Sequence, residues 1–198
     1  MADTANTITV ASGGANGNLK EIFNQVKKVF YNNAPIQEAN FAKGIEAELE
    51  FPILEGGVTF NGPSAEKSEI KLTDGTVWTS KKTLGDSDIS LQIASVSDKI
   101  SSLFMDKKTT PVTEVTSSLG GDTVVYNGIG YAMGIKTVTG ALVMFDQSGE
   151  TMIILPNVEL AGTLNGADGD NPAYFNTTVT PLANNASVNI YIFRKKTA

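Results

Sequence analysis

Hydrophobic and polar positions change period several times along this chain, and each change predicts an element. Leu19, Ile22, Phe23, Val26 and Phe30 recur at the spacing of one helical face, with Asn18 and Glu21 placed as an N-cap and its N3 partner. This predicts a helix over 19–31, stopped at Asn32-Asn33-Ala34-Pro35 because the residue before a proline is driven out of the α region. The stretch ahead of it, 1–17, is rich in Ala, Asn, Thr and Gly with few large apolar side chains, and predicts a flexible arm before a single domain over 18–198.

From Gly44 the period becomes two. Ile45, Ala47, Leu49 and Phe51 share one face while Glu46, Glu48 and Glu50 share the other, the pattern of a strand with one wet side, and Pro52 ends it. A loop-rich stretch follows around a short strand at 58–60. Asp74-Gly75 between two β-rich runs predicts a type I′ hairpin with Leu72 opposite Val77. Ile89, Leu91 and Ile93 then alternate with Asp88, Ser90 and Gln92, a second half-buried strand.

Ser95 and Asp98 form a capping-box pattern ahead of Val96, Ile100, Leu103 and Phe104, which predicts a short helix with one apolar face. After it, candidate strands lie at 112–117, 123–127, 131–138, 141–145, 151–155, 158–164, 174–181 and 188–193. Polar turns separate them, among them Asp146-Gln147-Ser148-Gly149 and the longer run from Asn165 to Pro172. With no interior linker, the expectation is a mainly β fold: a β-sandwich or partly closed barrel with a flanking short helix and an additional N-terminal helix.

Composition narrows the chemistry. The 198 residues include no Cys and no His, which removes thiolate nucleophiles, Cys/His zinc sites, the Ser-His-Asp triad and histidine acid–base catalysis together. Net charge is −6, and Arg194 is the single arginine among 15 basic residues. Bidentate readout of phosphate or guanine is therefore not expected, and the scattered lysine doublets at 27–28, 81–82 and 107–108 read as solvated faces rather than a nucleic-acid footprint. The N-terminus shows no secretory pattern and no run approaches the roughly 20 apolar residues of a membrane span, so the expectation is cytoplasmic synthesis and no membrane partner.

Catalysis would have to rest on carboxylates, Lys, Tyr or a Ser/Lys pair. Asp86 with Asp88, or Glu46, Glu48 and Glu50, offers paired acids, but same-face residues of one strand lie only about 6–7 Å apart and such neighbours are commonly solvated strand faces. Asp168-Gly169-Asp170-Asn171 lacks the later glycine and bidentate glutamate of a calcium loop and reads as a polar turn. The glycines of Gly128-Ile129-Gly130-Tyr131-Ala132-Met133-Gly134 miss the dinucleotide spacing by one residue and read as strand glycines or a bulge. No enzyme activity, cofactor or metal site is expected. The triple-glutamate stripe remains unusual, because three carboxylates on one strand face repel each other. It is either an exposed face or a surface required to stay negative.

The stretch from Trp78-Thr79-Ser80-Lys81-Lys82 to Ser90-Leu91-Gln92-Ile93, the capped helix after it, Gly140-Ala141-Leu142-Val143-Met144-Phe145, Ile153-Ile154-Leu155-Pro156-Asn157-Val158 and Gly169-Asp170-Asn171-Pro172-Ala173-Tyr174-Phe175 together resemble the major tail tube proteins of long-tailed (siphovirus-like) bacteriophages. The resemblance spans about residues 40–182 and leaves the N-terminal helix outside the family pattern. It implies a β-sandwich or barrel-like subunit assembled into hexameric rings that stack into a hollow tube of the virion. It further implies as partners copies of itself and other tail proteins (tape measure, terminator, baseplate or tip), with DNA only in transit. On that reading Glu46, Glu48 and Glu50, and also Asp86 and Asp88, face an acidic lumen that repels phosphates, and the arm and the loops at 52–66 and 165–172 form ring-to-ring contacts. Competing expectations are a tube protein of a secretion or injection machine, a stand-alone β-sandwich ligand-binding module using Trp78 and Tyr131, and, last, a carboxylate enzyme.

Overall fold

The computed structural model describes residues 23, 25–108, 115–119, 122–169 and 172–196. The arm expected over 1–17 and positions 19–22 and 24 of the expected helix lie outside these residues. In chain order the elements are β1 (Val26–Asn32), α1 (Glu38–Phe41), β2 (Leu49–Phe51), β3 (Ile53–Asn61), β4 (Ala65–Lys71), β5 (Val77–Leu84), β6 (Asp88–Ile93), α2 (Asp98–Phe104) and β7 (Asp106–Lys107). They continue with β8 (Val115–Leu119), β9 (Asp122–Tyr126), β10 (Tyr131–Ala132), β11 (Thr137–Asp146), β12 (Thr151–Asn165), β13 (Tyr174–Leu182) and β14 (Tyr191–Arg194).

The fold is mainly β, as the alternating patterns require, and its main sheet is a nearly closed, barrel-like one. Seven antiparallel strands run in the order β2-β1-β11-β12-β13-β6-β3, and an eighth, β14, continues the β13 side of β12. The two ends of this order, β2 and β3, are separated in sequence by Pro52 alone. One stretch of chain therefore pairs with β1 through its first residues and with β6 through the rest. Proline has no N–H to give a ladder, and it stands where the strand changes partner. Its carbonyl still accepts from the Ala94 N–H at 2.7 Å.

The interior is filled by side chains from β1, β2, β3, β6, β11, β12 and β13, with Tyr31 stacked on Phe51 at 5.5 Å between centroids. Helix α2 adds Ile100 and Phe104, and the Phe104 ring lies 5.3 Å from Phe175 and 6.4 Å from Phe51. Two glycines make room for these rings. A Cβ at Gly162 would stand 2.6 Å from the Phe104 ring, and one at Gly140 would stand 2.2 Å from the Asn32 carbonyl oxygen and 2.5 Å from the Tyr31 ring. Tyr31 lies against Gly140, and its hydroxyl donates to the Thr139 carbonyl at 2.9 Å.

Several expectations need correction. The predicted helix over 19–31 is extended from Val26: Val29 and Tyr31 point into the interior, while Phe30 packs edge-on against Phe145 on the other face at 5.9 Å. A β-branched and aromatic run can satisfy either period, and pairing with β11 decides it. The strand expected from Ile45 begins only at Leu49, after a turn at Gly44 with φ +85°. The strand expected at 58–60 spans Ile53–Asn61, so much of the supposed 52–66 loop is ladder.

The Asp74-Gly75 hairpin exists, but Val77 pairs with Lys71, and the loop hydrogen bonds are Leu72 N–H to Thr76 O and Gly75 N–H to Leu72 O. Only Gly75 has positive φ there, which fits a type I turn with a glycine bulge and excludes type I′. Strands expected separately at 151–155 and 158–164 form one strand, β12, with the register slip against β11 absorbing Pro156. The stretch expected as a strand over 131–138 keeps only β10 and the start of β11. Helix α2 starts at Asp98 behind Ser97, so Ser95 accepts from the Ser97 N–H in the turn before it and Val96 stays exposed.

Two tests follow from the interior. Thr177 is fully buried opposite Gly162, and its Oγ1 has no hydrogen-bond partner among the described residues. Replacing that unpaired hydroxyl with a methyl of the same shape (Thr177→Val) raises unfolding stability by about 1 kcal/mol, while Gly162→Ala forces the Phe104 ring aside and lowers it by about 1–3 kcal/mol. Urea midpoints at unchanged slope check both.

Asp146 is buried at the hairpin before β12, where its carboxylate accepts from Ser148 Oγ and from the Thr151 N–H. The Ser148 hydrogen bond chiefly holds its pKa below the ordinary carboxylate value, against the opposing effect of burial. A depressed folded pKa contributes stability that is full above the unfolded value of about 3.9 and is lost as pH falls toward the folded one. The stability difference between the parent and Asp146→Asn is therefore constant from neutral pH to about pH 5 and shrinks below about pH 4, as read by thermal unfolding across pH.

Candidate functional site

Strands β11 and β12 are apolar on both faces. Leu142, Met144, Ile153 and Leu155 face the barrel interior, while Ala141, Val143, Phe145, Met152 and Ile154 face outward. An antiparallel barrel ordinarily wets its outer face, so this one needs a cover. Residues 35–47 supply it. Ile36 is buried and its N–H donates to the Pro156 carbonyl at 2.8 Å, and Phe41 of α1 meets Tyr191 and Phe193 edge-on at 4.9 and 5.1 Å.

A polar latch holds this strap. The Tyr191 hydroxyl donates to Glu38 Oε1 at 3.0 Å and accepts from Asn184 Nδ2 at 2.9 Å. Asn184 is buried, and its Oδ1 takes the N–H groups of Ala186 and Val188, which shapes the loop between β13 and β14. Burial raises the Tyr191 pKa, the Asn184 bond opposes that shift, and Glu38 adds to it.

The cover is incomplete. Between strap and sheet lies a groove of about 520 Å³ lined by Phe30, Phe41, Ile45, Val143, Phe145 and Phe193 with neighbouring aliphatic positions. Its lining is apolar and, among the described residues, carries no titratable side chain. Among the described residues no group of three or more His, Cys, Asp or Glu is placed to hold a metal, and no helix is long and apolar enough to cross a membrane. The groove can take an apolar side chain; it offers no acid–base chemistry.

The five acids singled out from sequence do not form one cluster. Glu46 and Glu48 line a second, polar groove with Asn40 and Lys43, on backbone that is not strand. Glu50, on β2, lies 3.4 Å from Lys28, whose ammonium also stands 5.8 Å from the Phe30 ring centroid. The stripe is thus interrupted by a cation. Asp86 precedes β6 and Asp88 begins it opposite Asn61, on the order of 25 Å along the strands from Glu50 at about 3.3 Å per residue. All five are exposed.

Trp78 and Tyr131, the pair suited to a ligand platform, are not equivalent either. Trp78 is 71% exposed on β5, whereas Tyr131 is half-buried with its hydroxyl 3.4 Å from Ser102 Oγ and from the Asp98 carbonyl.

Sequence reasoning missed the strap and its groove, because α1 is only four residues long and offers no periodicity to read. The Gln37 N–H donating to Asn40 Oδ1 at 2.8 Å is its one local signature. It also missed that, among the described residues, β4 and β5 pair with each other alone: β5 is exposed throughout and no residue of β4 is buried. That signal was present, since 65–71 shows no apolar face at all.

Removing the latch is a direct test of the strap. Asn184→Ala leaves two backbone N–H groups and the Tyr191 hydroxyl without their partner, costs about 2 kcal/mol, and speeds proteolysis within 183–190. Thermal unfolding and timed limited proteolysis read the two effects.

Compared with known proteins, the chain matches no protein-family model and no curated protein.

Proposed function

We propose that this chain is a structural subunit that assembles with copies of itself into six-membered rings stacked as the tail tube of a long-tailed bacteriophage, with DNA passing through the lumen during ejection. The observation that carries the reading is the free-standing β4–β5 hairpin. A two-stranded hairpin alone is marginal in water, yet this one extends with Ile70, Leu72, Val77, Trp78 and Leu84 all exposed. Further uncovered apolar side chains are Val124, Val125 and Tyr126 on β9, and Met133 and Ile135 beyond β10. Apolar surface of this extent supports a protein that is completed by neighbours.

The net charge of −6 and the single arginine suit a conduit for duplex DNA, since a negative wall repels phosphates that a basic one would hold. In this reading Glu46, Glu48, Asp86 and Asp88 are lumen charges, and Glu50 shares its place with Lys28. The partners are other copies and the tail proteins that set length and close the ends. The protein is made in the host cytoplasm and ends in the virion.

Negative-stain electron microscopy with light scattering over a concentration series tests the assembly. Hollow rings or tubes are expected; a persistent monomer that binds glycans through Trp78 supports a binding module instead. In assembled tails, Glu46→Lys, Glu48→Lys and Glu50→Lys combined slow DNA delivery. Delivery as fast as the parent's removes these glutamates from the lumen.

A further inference from the structure

We infer that the tip of the β4–β5 arm of one copy seats in the apolar groove between strap and sheet of a second copy, with Trp78 as the anchoring side chain. This deepens the tube reading, on which it rests for self-association, by naming the two surfaces that meet.

The arm has two unlike parts. Its stem is polar: Glu66, Lys67, Ser68 and Glu69 on β4 run beside Ser80, Lys81, Lys82 and Thr83 on β5. Its tip is apolar, since Ile70, Leu72, Val77 and Trp78 all lie within a few residues of the turn and are about half exposed or more. Seven paired residues at about 3.3 Å each carry that tip about 23 Å from the arm's base. Holding a tryptophan so far from the core costs solubility without any gain inside one copy.

The tip and the groove match in kind. The exposed apolar side chains of the arm present on the order of 500 Å² of surface, close to the apolar share of one side of a standard interface of about 800 Å² per partner. The groove, about 520 Å³ and walled by Phe30, Phe41, Phe145 and Phe193, is an aromatic recess open to solvent. Charge does not oppose the approach: residues 65–84 carry four lysines against three acids in a chain of net charge −6.

Topology selects a second copy as the occupant. The groove lies over β1, β11, β12 and β14, while the arm leaves the barrel between β3 and β6. Round the closed order β11 and β12 are each two strands from the arm's root, β11 by way of β1 and β12 by way of β13, so the centre of the groove lies across the barrel from that root. Contact between two different patches is head-to-tail, and repeated it yields closed rings or open filaments rather than a two-fold dimer.

The sequence makes the test specific, because Trp78 is the single tryptophan and there is no cysteine. Intrinsic fluorescence of the full chain reports one site: its emission is expected to move to shorter wavelength as concentration rises, with the same midpoint as light scattering. Trp78→Ala at the tip and Ala47→Arg at the exposed groove mouth each raise the association midpoint by about tenfold or more, the scale on which removal of one anchor acts. Trp78→Phe keeps most of the association. Equal mixtures of Thr73→Cys and Ala47→Cys chains are expected to form an intermolecular disulfide under mild oxidation.

Association that Ala47→Arg leaves unchanged, or assembly without the 73–47 cross-link, overturns the inference while the tube reading stands. A dilute double-cysteine chain that cross-links within itself overturns it by giving the groove to its own arm. The cross-link in assemblies that never form rings or tubes supports the contact and removes the tube reading. A monomer at every soluble concentration, with Trp78 in water throughout, overturns both.

Discussion

The requirement that organises this protein is that β11 and β12 bury both faces. Each fully buried aliphatic side chain contributes about 1.5–3 kcal/mol relative to exposure, so neither face of such a pair can be left to water. The inner face is covered by closing the sheet on itself, with Phe104 of α2 filling the space that Gly162 leaves open. Among the described residues the outer face has no second sheet, and residues 35–47 are drawn across it as a strap instead. Pro52 serves the first solution and the Glu38–Tyr191–Asn184 latch the second.

The two covers differ in completeness. The interior packs Tyr31, Phe51, Phe104 and Phe175 so that each is essentially inaccessible, and among the described residues the Thr177 hydroxyl is left unpaired. The strap leaves an aromatic groove open, and the β4–β5 arm carries apolar side chains that are exposed. In the proposed assembly, this apolar recess and apolar tip make the molecule one unit of a chain of contacts, and association finishes the burial that folding begins. The acidic balance acts elsewhere, on the surfaces that remain wet.

Legibility followed the kind of signal. Alternation at 88–93, the continuous apolar run at 141–145 and the spacing of Ile100 and Phe104 were readable because each element buries a face fixed by its own period. The stretch at 26–31 was misread because valines and aromatics at those positions satisfy a helical stripe as well as a strand buried on both sides. Among the candidate acids, alternation placed three glutamates on one face, but the turn at Gly44 and the cation at Lys28 are invisible to a period of two. The strap was unreadable because its contacts reach Pro156 and Tyr191, more than a hundred residues away in sequence.

By itself the sequence determined the class of the fold, the absence of histidine and thiol chemistry, the negative charge and the place of the hairpin turn at Gly75, because these depend on composition or on neighbours a few residues apart. Tertiary structure alone decided that one strand joins both ends of the sheet, that Val26–Asn32 is extended, that an aromatic groove lies open beneath the strap and that the β4–β5 arm stands away from the core. Each of these depends on which distant segment occupies a face, and no local period records that.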